Sequence, residues 1–177
     1  LTPDERELGC ALVELGGGST NVAIFQAGKI RHTASLRFAG GHVTSDIVHG
    51  LQVTQQDAER LKERHGAAYE PLVPEGEVIQ LPGTPGQGPR NAHRHVLAHI
   101  MRMRLQEVLE LALDEITRAG YHQRLPAGVV LTGGGALLTN LDQLLREETG
   151  LPVSIADEPL SCVALGTGKV LEHINTH

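Results

Sequence analysis

The chain has 177 residues, of which 40% are hydrophobic and 20% are charged, and its formal net charge is −6. This length supports one ordinary domain or two small lobes with a substantial core. The acidic balance and the 2% aromatic content argue against a nucleic-acid-binding surface, and no segment approaches the roughly 20 apolar residues that span a bilayer. Two cysteines, Cys10 and Cys162, provide neither a disulfide framework nor paired zinc ligands, so we expect both to be buried in a reducing compartment.

The first fifty residues predict three antiparallel strands and a helix. Continuous or alternating apolar residues place the strands at residues 10–15, 21–25 and 30–38. Residues 26–29 form a hairpin turn between the second and third strands. Gly40 and Gly41 interrupt the alternation, and the apolar spacing of residues 42–51 then indicates a helix.

A helical insertion is predicted next. Thr54 is a plausible N-cap for a helix over residues 54–65. The following stretch is rich in proline and glycine and contains one short predicted strand at residues 77–81. A long helix is predicted over residues 91–119, with Asn91 as its cap and with apolar residues spaced for packing that begin at Val96 and Ile100.

The last part of the chain alternates strands and helices. Strands are predicted at residues 127–131 and 152–155, and helices at residues 137–149 and 162–174. The complete order is β-β-β-α, an insertion, and then β-α-β-α. This order predicts an α/β fold with a mixed sheet.

Two glycine triplets lie more than a hundred residues apart, each at the end of a predicted strand. The first motif is Gly16, Gly17, Gly18, Ser19 and Thr20, and the second is Gly133, Gly134, Gly135 and Ala136. Turns without side chains let backbone N–H groups approach an anion, although ordinary tight turns or close strand–helix packing would also require glycine. Two such turns in one short chain indicate two walls of a nucleotide cleft, with the hydroxyls of Ser19 and Thr20 as further donors.

Glu14 lies just before the first triplet and is a candidate to hold Mg²⁺ through water. Magnesium prefers carboxylate oxygens and keeps several waters. A second apparent phosphate loop at Gly168 and Lys169 is excluded, because a Walker sequence would need glycine at the position of Val163 and serine or threonine at that of Val170.

The start of the long predicted helix is both basic and apolar. Its arginines are Arg90, Arg94, Arg102 and Arg104, and its apolar residues include Val96, Leu97, Ile100, Met101 and Met103. Such a strip fits an acidic peptide with hydrophobic anchors, whereas the alternative is a solvated charged face. His95 and His99 have the spacing of zinc ligands, but without a third ligand we expect surface histidines.

Several segments resemble motifs of the superfamily of actin, DnaK-type chaperones and sugar kinases. Residues 13–25 resemble its second phosphate motif, residues 131–136 its adenosine motif and residues 164–169 its second connecting helix. Within this superfamily, residues 28–33, 40–47, 58–62 and 125–130 are similar to the FtsA family of bacterial cell-division actin homologues. The segment at residues 157–164 is closer to the cell-shape protein MreB.

The resemblance implies an actin-like, ribonuclease H-like lobe, the C-terminal one of two. Subdomain 2A would comprise residues 6–47 and 126–163, the inserted subdomain 2B residues 48–125, and a connecting helix residues 164–177. Because the chain starts at Leu1 rather than methionine, we expect it to be a piece of a longer protein.

The resemblance also implies the cofactors ATP and Mg²⁺. Residues 16–20 would surround the phosphates and residues 133–136 would border the adenosine. Glu59, Lys62 and Glu63 match positions that contact ribose and base in relatives. Glu14 and Asn21 stand where the superfamily usually has aspartate, so we expect weak nucleotide binding and little or no hydrolysis by this chain alone.

The implied function is that of a cytoskeletal adaptor at the cytoplasmic face of the bacterial inner membrane, where it would recruit FtsZ and support septal ring assembly. The C-terminal peptide of FtsZ would bind subdomain 2B at Arg90 and Arg104, with Arg94 between them. Self-association into filaments and contacts with other division proteins are also implied, with membrane binding through a segment outside this chain. The alternatives are an MreB-like filament protein and a superfamily kinase, the latter disfavoured because the insertion is short.

Overall fold

A mixed five-stranded β-sheet forms the centre of the molecule. The structure is a computed structural model, and it describes residues 1–83, 86 and 88–161. The sheet contains β1 (Cys10–Leu15), β2 (Thr20–Gln26), β3 (Lys29–Leu36), β6 (Val129–Thr132) and β7 (Val153–Ile155), and a separate hairpin contains β4 (Val78–Leu81) and β5 (Arg90–His93). The α-helices are α1 (Pro3–Leu8), α2 (Gly40–Leu51), α3 (Gln55–His65), α4 (Arg94–Arg118) and α5 (Leu141–Thr149), with short 3-10 helices at Glu70–Leu72 and Gly134–Leu137.

The order of strands in the sheet is β3-β2-β1-β6-β7. Strands β1, β2 and β3 form an antiparallel meander, whereas β6 pairs in parallel with both β1 and β7. Parallel neighbours need crossover connections, which are supplied by the segment from α2 to α4 and by α5. The predicted mixed α/β fold, with its three-stranded antiparallel start, is therefore confirmed.

Helix α4 is the longest element and packs against α2, α3, α5 and the sheet. Its buried residues are Leu97, Ala98, Met101, Leu105, Val108, Leu109, Ala112 and Ile116. The sequence pattern placed Val96 and Ile100 on the packed face, but Val96 is 45% exposed and Leu97 and Met101 are fully buried. The core stripe is thus shifted by one residue in the first turns, where Leu97, Met101 and Leu105 follow helical spacing.

The start of the long helix was predicted incorrectly. Residues 90–93 form strand β5, which pairs antiparallel with β4, and α4 begins only at Arg94. The hairpin buries Ile79 and Leu81 in the main core, and this burial outweighs the local preference of Asn91 for a helix cap. Arg90 consequently lies on a strand rather than on the helix.

The opening segment, for which the sequence predicted no element, is helical. Residues Pro3–Leu8 form helix α1. The hydroxyl of Thr2 accepts from the N–H of Glu5 at 3.2 Å, and the Glu5 carboxylate accepts from the N–H of Thr2 at 2.6 Å. This is a capping box followed by proline at the first helical position, a signal that the sequence contains.

Two further boundaries need correction. The third strand ends at Leu36 rather than at residue 38, and helix α5 begins at Leu141 rather than at residue 137. A 3-10 helix occupies the start of the latter segment, so no α-helix N-terminus lies at the second glycine triplet. The expected final helix at residues 162–174, the connecting helix at residues 164–177 and Cys162 lie outside the described residues.

Cys10 is fully buried at the start of β1, as expected from its apolar surroundings. Burial raises the pKa of its thiol to about 11.

Within residues 1–83, 86 and 88–161, no helix combines the length and hydrophobicity needed to cross a bilayer.

Candidate functional site

Three segments that are distant in sequence meet around a cleft of about 440 Å³. They are the glycine loop after β1, helix α3, and the segment that follows β6. The sequence-predicted residues that line this cleft are Gly16, Gly17, Glu59, Lys62, Glu63, Gly134 and Gly135. The fold therefore brings both glycine motifs and the α3 residues to one place.

The first glycine loop is held in place by the start of helix α2. The N–H of Gly40 donates to the carbonyl of Gly16 at 3.0 Å, and the N–H of Gly41 donates to the carbonyl of Gly17 at 2.8 Å. A Cβ added at Gly41 would lie 2.8 Å from that same Gly17 oxygen, so glycine is required for this close approach. Gly40 also lines the cleft and is a site residue that the sequence reading missed.

The middle of this loop is open to a ligand. No heavy atom lies within 4 Å of a Cβ built at Gly17 or Gly18. Among the residues that the structure describes, the backbone N–H groups of Gly17 and Gly18 donate to no acceptor. Exposed, unused N–H groups in a side-chain-free turn are suited to bind an anion.

The second glycine triplet has two roles. Gly133 has φ of +82°, and a Cβ at this position would lie 2.7 Å from the carbonyl oxygen of Leu15. A Cβ at Gly135 would lie 2.4 Å from the Leu15 side chain, whereas Gly134 meets only Leu160, at 3.7 Å. Close packing therefore explains Gly133 and restricts Gly135, while Gly134 presents an open backbone to the cleft.

Ala136 does not line the cleft. It is buried, and its N–H donates to the carbonyl of Gly133 at 3.1 Å within the 3-10 helix. The following residues Leu137, Leu138 and Thr139 do line the cleft. These three were missed because the sequence reading ended the motif at Ala136.

Helix α3 forms another wall of the cleft. Its N-cap is Thr54, as predicted, whose hydroxyl accepts from the N–H of Asp57 at 3.2 Å. Lys62 is only 9% exposed, and its Nζ donates to Thr44 Oγ1 at 2.8 Å and to the carbonyl of Gly40 at 3.3 Å. The Lys62 Nζ also lies 2.7 Å from a carboxylate oxygen of Glu59. Lys62 thus connects α3 to the start of α2.

The environment of Glu59 favours its charged form. Burial by itself would raise the pKa of Glu59, but hydrogen bonds from Lys62 and Thr44, with the charge of Lys62, lower it below its ordinary value. Glu63 lies one turn further along α3, is exposed, and lines the cleft. The α3 wall therefore presents one charge-neutralised carboxylate and one solvent-exposed carboxylate.

Thr20 is not available as a phosphate donor, contrary to the prediction. It is fully buried on β2, and its hydroxyl donates to the carbonyl of Phe38 at 2.6 Å. Gly18 and Ser19 belong to the loop but are not among the residues that line the cleft. The alternation of β2 explains Thr20, because this residue points to the same core face as Val22 and Ile24.

Glu14 lies on the other face of the sheet, in a second cavity of about 410 Å³ that Asn21 also lines. The amide of Asn21 donates to the Glu14 carboxylate at 2.8 Å. In the described part of the chain, no group of three or more His, Cys, Asp or Glu side chains is arranged to hold a metal ion. Any Mg²⁺ at Glu14 would therefore depend on waters and on a ligand for its other oxygens.

The arginines of the predicted basic strip already have partners within the chain. Arg94 Nη1 donates to the Glu77 carboxylate at 2.8 Å, and its Nε donates to the carbonyl of His65 at 2.7 Å. The guanidinium of Arg90 donates to the carbonyl of Leu51, the last residue of α2. These arginines hold the hairpin and the start of α4 against α2 and α3.

Arg104 is bound to α2 through a bidentate pair. Its Nε donates to Asp46 Oδ2 at 2.6 Å and its Nη2 to Asp46 Oδ1 at 3.2 Å, while Nη1 donates to Glu107 on α4 itself. The hydrogen bonds to Asp46 hold the pKa of Arg104 above its ordinary value. Arg102 does not take part in this pair; its guanidinium carbon lies 5.8 Å from the centre of the Tyr69 ring.

Apolar side chains are exposed beside these pairs. Val96 is 45% exposed and Met103 is 57% exposed, and Ile100 between them is half-buried against Gly50. We call Val96, Ile100 and Met103, together with Arg90, Arg94 and Arg104, the α4 strip. The strip therefore has apolar anchors at helical spacing, but its arginines already have partners.

His99 is exposed and His95 is partly buried, with its Nε2 buried and without a hydrogen-bond partner among the described residues; the two histidines share a carboxylate partner. His99 Nδ1 lies 3.0 Å from one Glu70 oxygen, and His95 Nδ1 lies 3.9 Å from the other. This shared partner was not foreseen from the sequence. It ties α4 to the 3-10 helix at Glu70–Leu72.

Comparison with protein families decides between the candidate relatives. A family model described as cell division protein FtsA matches residues 11–166. The chain belongs to the FtsA family. Its relatives include FtsA of Pseudomonas aeruginosa, 41% identical over 155 residues, which cover 88% of this chain and 37% of that protein. FtsA of Escherichia coli is 36% identical over 185 residues, which cover 94% of this chain and 44% of that protein.

The chain thus spans less than half the length of these FtsA relatives. Among solved structures, MreB5 of Spiroplasma citri bound to ADP is similar with a TM-score of 0.74 and 23% identity, over 96% of this chain and 55% of that chain. The same protein bound to AMPPNP gives a TM-score of 0.75 and 24% identity, over 97% of this chain and 55% of that chain. At this identity the similarity shows the fold, which is that of actin-like ATPases.

Proposed function

We propose that the 440 Å³ cleft binds an adenine nucleotide, with ATP and Mg²⁺ as its natural occupants, and that the chain acts in bacterial cell division as an FtsA-type adaptor. The observation that carries the nucleotide proposal is the meeting of the open first glycine loop, the backbone of Gly134 and helix α3 around one cleft. Similarity to a protein solved with ADP and with AMPPNP supports it. Membership of the FtsA family supports the role in division.

Each wall of the cleft has a distinct proposed role. The N–H group of Gly17 faces the phosphates, because Gly17 lines the cleft, is exposed and has no acceptor for this N–H among the described residues. Gly134 and Gly135 border the adenosine, and Glu63 binds ribose or base from α3. Lys62 orients Glu59 and fixes the start of α2, rather than contacting phosphate directly.

Glu14 is the residue proposed to face Mg²⁺ through water, from the second cavity rather than from the wall of the cleft. The ion would supply positive charge to the phosphates when bound. Asn21 restrains the Glu14 carboxylate but adds no second acid. We therefore propose that this chain by itself hydrolyses ATP weakly or not at all.

The nucleotide proposal is tested by calorimetric titration of ADP and ATP into the chain. Glu63→Ala removes an exposed carboxylate from the cleft wall and should weaken ADP binding at least threefold. Arg64→Ala is the matched control, because Arg64 is the next residue of α3, is exposed, and does not line the cleft. Equal ADP affinity of the wild type and both variants would reject the proposed α3 wall.

We also propose a division of the chain into two subdomains and a connecting helix. Residues 6–47 and 126–163 form subdomain 2A, which contains the sheet and both glycine turns, and residues 48–125 form the inserted subdomain 2B. The α4 strip lies in 2B. Residues 164–177 are assigned to a connecting helix by sequence resemblance.

We place the C-terminal peptide of FtsZ on the α4 strip. The exposed Val96 and Met103 supply apolar anchors, and Arg90, Arg94 and Arg104 supply positive charge beside them. Since these arginines already bind groups of this chain, an acidic peptide would have to exchange with Asp46, Glu77 or the Leu51 carbonyl. The apolar anchors therefore provide the cleaner test.

In that test the FtsZ peptide is titrated against the wild type, a Val96→Ser/Met103→Ser variant and an Ile30→Ser control. Losing two exposed anchors should weaken binding by about tenfold or more. Ile30 is 59% exposed on β3, outside the strip, so its replacement should leave affinity unchanged. An Arg90→Ala/Arg104→Ala variant should also bind weakly, and equal affinity for all four proteins would remove the proposed site.

The wider role follows from family membership as a proposal. The adaptor would recruit FtsZ at the cytoplasmic face of the inner membrane, support septal ring assembly, form filaments and contact other division proteins. An MreB-like filament would assemble without dependence on FtsZ, and a kinase would turn over ATP with a sugar or acetate, so these two assays separate the alternatives.

A further inference from the structure

Helix α2 contacts both surfaces proposed to bind ligands. At its N-terminus, Gly40 and Gly41 donate their N–H groups to the carbonyls of Gly16 and Gly17, at 3.0 and 2.8 Å. Both acceptors belong to the wall of the cleft. The position of the first turn of α2 therefore determines the position of the glycine loop.

The middle and the end of α2 contact the α4 strip. Asp46 accepts two hydrogen bonds from Arg104, at 2.6 and 3.2 Å, and the carbonyl of Leu51 accepts from Arg90. The helix has 12 residues, so it spans about 18 Å at a rise of about 1.5 Å per residue. One short helix thus receives hydrogen bonds from two strip arginines and donates hydrogen bonds to the cleft.

An acidic ligand on the strip competes with α2 for these arginines. The three guanidinium nitrogens of Arg104 are already bonded, to Asp46 and Glu107. A carboxylate that binds the Nε and Nη2 edge of Arg104 in bidentate fashion replaces Asp46, because Asp46 occupies those two donors. Asp46 then loses its cation, and the α2–α4 contact that holds the helix in place is weakened.

We infer that α2 couples the two sites negatively: an acidic peptide on the α4 strip loosens α2 and its glycine loop, and so weakens nucleotide binding in the cleft. Nucleotide binding, which requires an ordered loop, weakens peptide binding by the same factor, since coupling between two binding equilibria is reciprocal. Asp46 is a positioning residue in this scheme. The inference rests on the proposed function of both surfaces.

The test measures the Kd of ADP for the full chain, without and with saturating FtsZ C-terminal peptide, and the reciprocal change in peptide Kd. We expect each Kd to rise about fivefold or more. Asp46→Asn should reduce the coupling toward one, and Asp46→Glu should restore it because the longer carboxylate still pairs with Arg104. Glu107→Gln is the matched control: it removes the other carboxylate partner of Arg104 but leaves α2 untouched, so the coupling should persist.

A second readout distinguishes coupling from a local structural effect. With no nucleotide present, peptide binding should shift the backbone amide resonances of Gly16, Gly17, Gly40 and Gly41 in the wild-type chain. Unchanged Kd values with both ligands bound, or unchanged glycine resonances, would overturn the coupling while leaving both sites in place. Failure of ADP or the peptide to bind alone, seen in the direct titrations, would overturn the proposed function and the coupling together.

Discussion

The contact between α2 and the glycine loop predicts that Gly41→Ala destabilises the protein. A Cβ at residue 41 would lie 2.8 Å from the carbonyl oxygen of Gly17, well inside the usual separation of non-bonded heavy atoms, which is about 3.5 Å. The oxygen cannot rotate away, because it belongs to the backbone. The loop and the helix must therefore separate by roughly half an ångström, which weakens the 2.8 Å hydrogen bond between them.

Three effects determine the size of the change. Loss of the hydrogen bond costs about 1 kcal/mol, and forced repacking costs about 1–3 kcal/mol. Replacing glycine by alanine within a helix returns up to about 1 kcal/mol. We expect a net loss of about 1–3 kcal/mol in the free energy of unfolding, which lowers Tm by about 2–4 °C per kcal/mol for a chain of this size.

The assay is urea and thermal unfolding of Gly41→Ala beside a control in the loop itself. Gly17→Ala is the control, because no heavy atom lies within 4 Å of its added Cβ, and its stability should change by less than about 0.5 kcal/mol. Gly41→Ala should also bind ADP more weakly, since it displaces the loop. A Gly41→Ala variant as stable as the wild type would refute the reasoning from the close approach.

Three further predictions concern single residues. Gly133→Ala should lose at least about 1–2 kcal/mol in urea unfolding, because its φ of +82° disfavours a side chain and its added Cβ would lie 2.7 Å from the Leu15 carbonyl oxygen. Gly134→Ala has neither constraint and should unfold like the wild type, and equal losses for the two variants would contradict this reasoning. Lys62→Met should raise the pKa of Glu59, because the burial of its carboxylate remains while the cation that offsets it is removed. NMR titration of the Glu59 carboxyl carbon measures this pKa, and an unchanged value would contradict the proposed contact between Lys62 and Glu59. The thiol of Cys10 has a higher pKa in the folded chain, about 11, than its ordinary value of 9.0, so the folded state holds this proton more tightly. The resulting stabilisation is fully present below the ordinary pKa and is lost, by roughly 3 kcal/mol, as the pH rises through the folded-state pKa. The difference in unfolding free energy between wild type and Cys10→Ala should show this slope, and parallel pH profiles would exclude it.

Much of the site was accessible from sequence because its signals are local. Glycine triplets after apolar runs indicated the two turns, and Thr54 indicated where α3 begins. The cleft contains Gly16 and Gly134, which belong to those motifs, together with Glu59, which only the family resemblance had implied. What the sequence missed, such as Gly40, acts through contacts with residues more than twenty positions away.

The partners of the arginines, in contrast to the glycine turns, were not indicated by the sequence. From the sequence, Arg90 and Arg104 formed a basic strip on one helix. In the structure Arg90 lies on a strand, and Arg104 is paired with Asp46, which is 58 residues away in sequence. No periodicity within a helix indicates such a partner, because it depends on how α2 packs on α4.

The sequence by itself determined the mixed α/β fold, the two side-chain-free turns and membership of an actin-like family. The fold and the turns depend on backbone preferences and on the period of apolar residues, both of which act over a few neighbouring positions, whereas family membership followed from the resemblance of whole motifs. Only the tertiary structure decided which glycines face the cleft and which pack on Leu15, why Thr20 is unavailable, and which charges are already neutralised. The physical reason is that side-chain availability depends on the three-dimensional neighbours that bury or bind each group, and these neighbours come from distant parts of the chain.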